Sequence, residues 1–246
     1  TIDTQNLVNG TKYMLRIHAG DYAGYGNVNS EAIRYFTFDN EKPTTPVLTS
    51  PINGVYINDD TPLMQWEDSS DTSGIAGYYY RIYYNCSNVD DSSTCSSVYP
   101  NENGLWNTNS EYPAGTTPNG TYYWQVKAID NAGNESPWSN LGKFTIDTIN
   151  PTGTIDSIYY PSKNMSVNSF ITNDNTPILE GTCFDANIDT VKLTVEGTTG
   201  EQTLTCESDK WRASETAVLS DGEHTATLTI TDKAGNTFTT EEKLFI

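Results

Sequence analysis

One motif recurs three times in this chain, and it sets the architecture. Its clearest copy runs from Asn119 to Asp147, NGTYYWQVKAIDNAGNESPWSNLGKFTID. Tyr122, Trp124, Val126 and Ala128 alternate with Tyr123, Gln125, Lys127 and Ile129, the period of a half-buried strand. Asp130-Asn131-Ala132-Gly133-Asn134 then turns the chain, and Leu141, Phe144 and Ile146 lead back to the core. A first copy leads from Asn9-Gly10 through Leu15 and Ile17 to Asp21-Tyr22-Ala23-Gly24. A third leads from Asp221-Gly222 through Leu228 and Ile230 to Asp232-Lys233-Ala234-Gly235-Asn236. The loop Asp falls at Asp21, Asp130 and Asp232, in steps of 109 and 102. A step near 100 residues is one β-sandwich per repeat; solenoid repeats are far shorter.

The expected fold is therefore all-β: tandem antiparallel sandwiches. Residues 1–40 hold only the last strands of a repeat, since one hairpin cannot bury two sheet faces. Residues 43–147 form a complete domain and residues 151–246 another. Two prolines, Pro43 and Pro46, stiffen the first linker, and Pro151 ends the second. Strand B of each complete domain follows a matching turn, Asn58-Asp59-Asp60-Thr61-Pro62 and Asn173-Asp174-Asn175-Thr176-Pro177. No segment has helical periodicity.

Charge excludes some partners. With 32 acidic against 13 basic residues the net charge is -19, and a nucleic-acid partner would demand the opposite. No apolar run reaches membrane-spanning length. Four cysteines allow three pairings. Cys86 and Cys95 flank a polar loop, Cys183 and Cys206 sit on two strands of the third repeat, and pairing within each domain is the simplest choice. Catalysis has little to stand on: the two histidines, His18 and His224, each lie on a strand, and no Ser or Cys has a nucleophile context.

The residues SGIAGYYYRI and GTYYWQVKAIDNAGNES, with Trp66 on strand B, resemble a bacterial fibronectin type III-like domain. NDNTPILEGT, the turn before Trp211 and DGEHTATLTITDKAGN resemble a bacterial immunoglobulin-like domain of large adhesins. The resemblance implies tandem modules of an exported, extracellular or cell-surface protein. These would serve as a non-catalytic stalk, spacer or adhesive segment. Their partners would be other domains of the same long chain, other copies, or a host or cell-surface protein or glycan. Two alternatives stand beside it: a carbohydrate-binding accessory module of a secreted polysaccharide-degrading enzyme, and a surface-layer or filament subunit. Exposed, coplanar aromatics among Tyr78 to Tyr84, Trp106, Tyr112, Trp124 and Trp138 would mark the former.

In a sandwich of that kind the B–C and F–G loops share the end that receives the incoming linker. That end gathers Asp39, Glu41, Asp68, Asp71, Asp130 and Asn134 in the second repeat. In the third it gathers Asp147, Asp185, Asn187, Asp189, Asp232 and Asn236. Oxygen ligands from separate loops are what Ca²⁺ requires. The pattern is similar to cadherin junctions, without the linker motif DxNDN, and to calcium-rigidified bacterial immunoglobulin-like repeats. Two readings stand side by side: Ca²⁺ at one or more junctions, or Asp and Asn that serve only as turn formers and solvated charge.

Overall fold

The structure, a computed structural model, describes residues 5–19, 30–84, 86, 94, 95, 97–99 and 105–246. The Asp21–Gly24 loop and the side chain of His18 lie outside the described residues. So does most of the loop between Cys86 and Cys95. The chain separates into two compact units. Residues 1–54, 62–114 and 121–144 make the first, and residues 55–61, 115–120 and 145–246 the second.

The first hairpin is an isolated two-stranded sheet of β1 (Lys12–Ala19) and β2 (Ser30–Thr37). Met14, Ile17 and Tyr35 are at least half exposed on it. Such a hairpin cannot enclose a core of its own.

Nine strands follow among the described residues: β3 (Leu48–Ser50), β4 (Val55–Ile57), β5 (Leu63–Trp66), β6 (Ile75–Tyr84), β7 (Ser97–Tyr99), β8 (Leu105–Asn107), β9 (Glu111–Pro113), β10 (Gly120–Asp130) and β11 (Gly142–Ile146). One sheet has the order β3-β5-β9; the other runs β4-β11-β10-β6-β7, with β8 also on β6. The expected alternation holds. Tyr122, Trp124, Val126 and Ala128 of β10 are buried and face Tyr84, Ile82, Tyr80 and Tyr78 of β6 in register. Trp66 packs on Trp124 and edge-on against Tyr78, and the Trp124 indole N–H donates to the Pro51 carbonyl at 2.8 Å. That bond offsets the cost of burying the Trp124 N–H, whereas the N–H of buried Trp66 has no partner among the described residues.

The last eight strands are β12 (Thr152–Tyr160), β13 (Met165–Val167), β14 (Ile178–Phe184), β15 (Ile188–Val195), β16 (Gln202–Leu204), β17 (Lys210–Arg212), β18 (Glu223–Asp232) and β19 (Thr237–Phe245). They pair as β13-β12-β14-β17 and β16-β15-β18-β19, and every strand pair in both sheets is antiparallel. Ile158, Leu179, Leu193, Leu228, Ile230 and Leu244 are fully enclosed between them. Trp211 is buried too, its N–H shared by the Thr154 and Thr182 carbonyls at 3.0 Å each. Gly181 makes that possible: a Cβ there would collide with the Thr154 main chain and the Trp211 ring. Among the described residues the one named helical element is a 3₁₀ turn, Pro161–Lys163.

Both disulfides form within a repeat, Cys86–Cys95 and Cys183–Cys206. The second is anchored on fully buried Cys183 of β14. Disulfides fit an oxidising compartment. Among the described residues no helix is long and apolar enough to cross a membrane.

Candidate metal centre

The D-x-A-G-N loops after β10 and β18 are built alike, atom for atom. Gly133 and Gly235 take φ of +93° and +88°, which lets each loop fold back on its Asp. Asp130 Oδ1 accepts the Ala132 and Asn134 main-chain N–H at 2.8 and 2.9 Å; Asp232 Oδ1 accepts those of Ala234 and Asn236, both at 2.9 Å. The second oxygen of each takes the Asn side-chain amide at 2.8 Å. The two aspartates are almost wholly buried, 1% and 2% exposed. Their carboxylates are tolerated there because donors surround them. Burial alone would raise Asp130, but hydrogen bonds from Asn134, Ala132 and Gly133 outweigh it and leave its carboxyl below the ordinary value.

The same Asn reaches a second acceptor. Asn134 Nδ2 donates to the main-chain oxygen of Asp39 at 3.4 Å, and Asn236 Nδ2 to that of Asp147 at 2.8 Å. Asp39 and Asp147 are the linker residues four positions before Pro43 and Pro151. Each F–G loop therefore grips the chain that enters its own module.

Carboxylates converge at the same two places. Oxygens of Asp39, Asp71 and Asp130 lie within 4.8 Å of one another, as do those of Asp147, Asp185 and Asp232. Asp71 is fixed by the Ser73 N–H and hydroxyl at 2.7 and 2.8 Å. Asp185 takes the Asn187 N–H at 2.6 Å, and the Asn187 amide donates to Asp147 Oδ2 at 3.1 Å. Burial first, then the charges of Asp147 and Asp232, push the Asp185 carboxyl up, against the opposing Asn187 hydrogen bond. At the other group Asp39 Oδ2 is buried with no hydrogen-bond partner, although its sister oxygen takes the Glu41 N–H at 3.1 Å. A buried, unmet carboxylate oxygen beside two more carboxylates is the donor set a hard divalent cation fits.

Of the residues expected from sequence, the structure brings together Asp39, Asp71 and Asp130, and Asp147, Asp185 and Asp232. Asn134 and Asn236 stand behind them with their amide nitrogens turned to the aspartates. Glu41, Asp68 and Asp189 are exposed and lie outside both groups. Sequence reasoning passed over Asn119 and Ser73. Asn119 Oδ1 accepts the Thr148 N–H and hydroxyl at 3.2 and 3.0 Å, a further hold on the second linker. Asn119-Gly120 reads as a turn from sequence; its bond to Thr148 spans 29 positions and has no local signature.

His224 is structural. It is 7% exposed, with its two ring nitrogens 2.8 Å from the Glu196 and Ser220 carbonyls. The aromatics do not make a flat platform. Tyr78, Tyr80, Tyr83, Tyr122 and Trp124 are buried, and Trp106 meets Tyr79 edge-on at 69°.

Residues 47–150 match the family described as Rha78A-like, N-terminal immunoglobulin domain, and residues 162–246 match the family Bacterial Ig-like domain. Exoglucanase B of Cellulomonas fimi is 25% identical over 186 residues, 74% of this chain but only 16% of that protein's length. Among solved structures, the fibronectin(III)-like modules of Clostridium thermocellum CbhA are similar at a TM-score of 0.41 and 13% identity, covering 82% of this chain and 94% of that one. The α-L-rhamnosidase of Streptomyces avermitilis, complexed with L-rhamnose, is similar at 0.33 and 16%, covering 83% and 24%. Two immunoglobulin-domain families thus match in tandem, over residues 47–150 and 162–246, modules of a structural or accessory kind.

Proposed function

We propose that this segment is a non-catalytic spacer of a larger exported protein, and that each complete module fixes its incoming linker through an Asp–Asn clasp completed by Ca²⁺. The observation that carries the reading is the clasp itself. The same amide bridges the same two partners in both modules, Asp130 and the Asp39 carbonyl, then Asp232 and the Asp147 carbonyl. A solvated turn acid has no reason to reach into the preceding linker twice. Three carboxylates within 4.8 Å repel one another, and a cation removes that cost while drawing linker and loop together. Asp39, Asp71 and Asp130 would hold one ion, and Asp147, Asp185 and Asp232 the other. The test is thermal unfolding with and without EDTA: Ca²⁺ raises the midpoint of the intact chain and has little effect on Asp130→Asn with Asp232→Asn. Equal midpoints with and without chelator overturn the cation.

The choice of parent protein turns on the relatives. An exoglucanase is 25% identical over 186 residues of this chain, and residues 47–150 match a family described as Rha78A-like, N-terminal immunoglobulin domain. Those names favour a spacer within a secreted glycan-degrading enzyme over an adhesive stalk.

A further inference from the structure

The outer face of the β10–β6 sheet differs in charge from the rest of the molecule. There Tyr123, Gln125 and Lys127 of β10 stand opposite Tyr83, Arg81 and Tyr79 of β6, with Tyr83 itself covered and buried. Trp138 lies across them, its ring 4.0 Å from the Arg81 guanidinium and 5.1 Å from the Lys127 ammonium. Lys127 also lies 5.3 Å over Tyr79, and Lys143 5.8 Å over Tyr123. Trp106 closes one end, against Tyr79, and is 46% exposed. Glu135 pairs with Lys127. Arg81 is held by Gln125 Oε1 at 2.7 Å and pairs with no carboxylate among the described residues. In a chain of net charge -19, Arg81 and Lys143, neither paired with a carboxylate among the described residues, stack on aromatic rings and make a local inversion of sign.

We infer that this face binds a carboxylated polysaccharide, a chain of uronate sugars. The exposed Trp106 and half-buried Trp138 offer apolar ring surface to sugar C–H groups, and the Arg81 and Lys143 cations offer complementary charge to ring carboxylates. Edge-to-face rings are poorly shaped for a flat neutral polymer, which needs coplanar platforms. Repulsion from the acidic remainder does not prevent docking, because at physiological ionic strength charges more than about 8 Å away are largely screened. The inference is independent of the cation clasp, and either can fail alone.

The experiment is affinity electrophoresis of the intact chain at about 0.15 M ionic strength, where the acidic remainder is screened, in EDTA so that Ca²⁺ cannot bridge polymer to the acidic loops. The polymers are polygalacturonate, a neutral mixed-linkage glucan and duplex DNA. Polygalacturonate retards the protein; glucan and DNA do not. Trp106→Ala, whose side chain is half in solvent and whose melting curve verifies folding, weakens retardation roughly tenfold. Lys143→Gln weakens it and flattens its salt dependence, while Lys243→Gln, an exposed cation of the last module, leaves it unchanged. No retardation by polygalacturonate, equal retardation by glucan or DNA, or an equal loss in Lys243→Gln overturns the inference.

Discussion

The Asn236 side chain donates to the Asp147 main-chain oxygen at 2.8 Å across 89 positions of sequence, and the same nitrogen caps the Asp232 carboxylate. Asn134 stands in the same relation to Asp39, at a longer 3.4 Å. The linker is thus hydrogen-bonded into the module it precedes, and the loop that does so is the motif that repeats along the chain.

Asn236→Ala removes both bonds and leaves one oxygen of a buried carboxylate without its capping donor. The expected loss is about 2 kcal/mol, read as a lower midpoint in urea or heat. Asn134→Ala is expected to cost less, because its linker bond is longer and Asn134 is less buried.

Asp185→Asn separates repulsion from ligation. In EDTA the variant is more stable than the parent, since a carboxyl raised by burial and by Asp147 and Asp232 is replaced by a neutral group. In Ca²⁺ the order reverses. Differential scanning calorimetry in the two buffers reads both arms, and a variant less stable in both would show Asp185 to be merely structural.

Glu180 supplies the acid sensitivity of the last module. Burial would raise its carboxyl, but hydrogen bonds from Ser166, Arg212 and Ser157 and the Arg212 charge lower it overall. An acid lowered in the folded state adds stability above its unfolded value and loses it as the pH falls through the folded one. Glu180→Gln is therefore less stable than the parent at neutral pH, on the order of 1 kcal/mol given that Arg212 is half exposed, and the gap closes below about pH 4. Midpoints measured from pH 3 to 7 check this.

The Cys183–Cys206 bond, 23 positions apart, constrains the unfolded chain by about 3 kcal/mol on the loop-entropy account. Cys183→Ala with Cys206→Ala is expected to lower the midpoint by that much; the unfolding free energy from denaturant titration decides.

The strands were legible because their side chains alternate. Trp124 and Val126 point inward and Gln125 and Lys127 outward, and a period of 2 carries that in local sequence. The step between Asp130 and Asp232 carried the module length. The acidic ends were legible only in part. Loop order placed Asp130 beside Asp71 and Asp39, yet nothing local told Asp71 from Asp68 or Asp185 from Asp189. That choice is made by how each loop folds, as when Ser73 and Asn187 turn their N–H groups onto one Asp and leave the other in water. Nor does sequence show that an Asn read as a turn former reaches a carbonyl of the linker. That contact exists only once the sandwich has closed.

Isothermal titration of the intact, EDTA-stripped chain with Ca²⁺ at low salt tests the clasp most directly. The account predicts saturable binding of two ions per chain, with Asp232→Asn abolishing one and leaving the other, and with Na⁺ failing to substitute. Featureless heats of dilution, or binding that persists unchanged in both Asp130→Asn and Asp232→Asn, would contradict it.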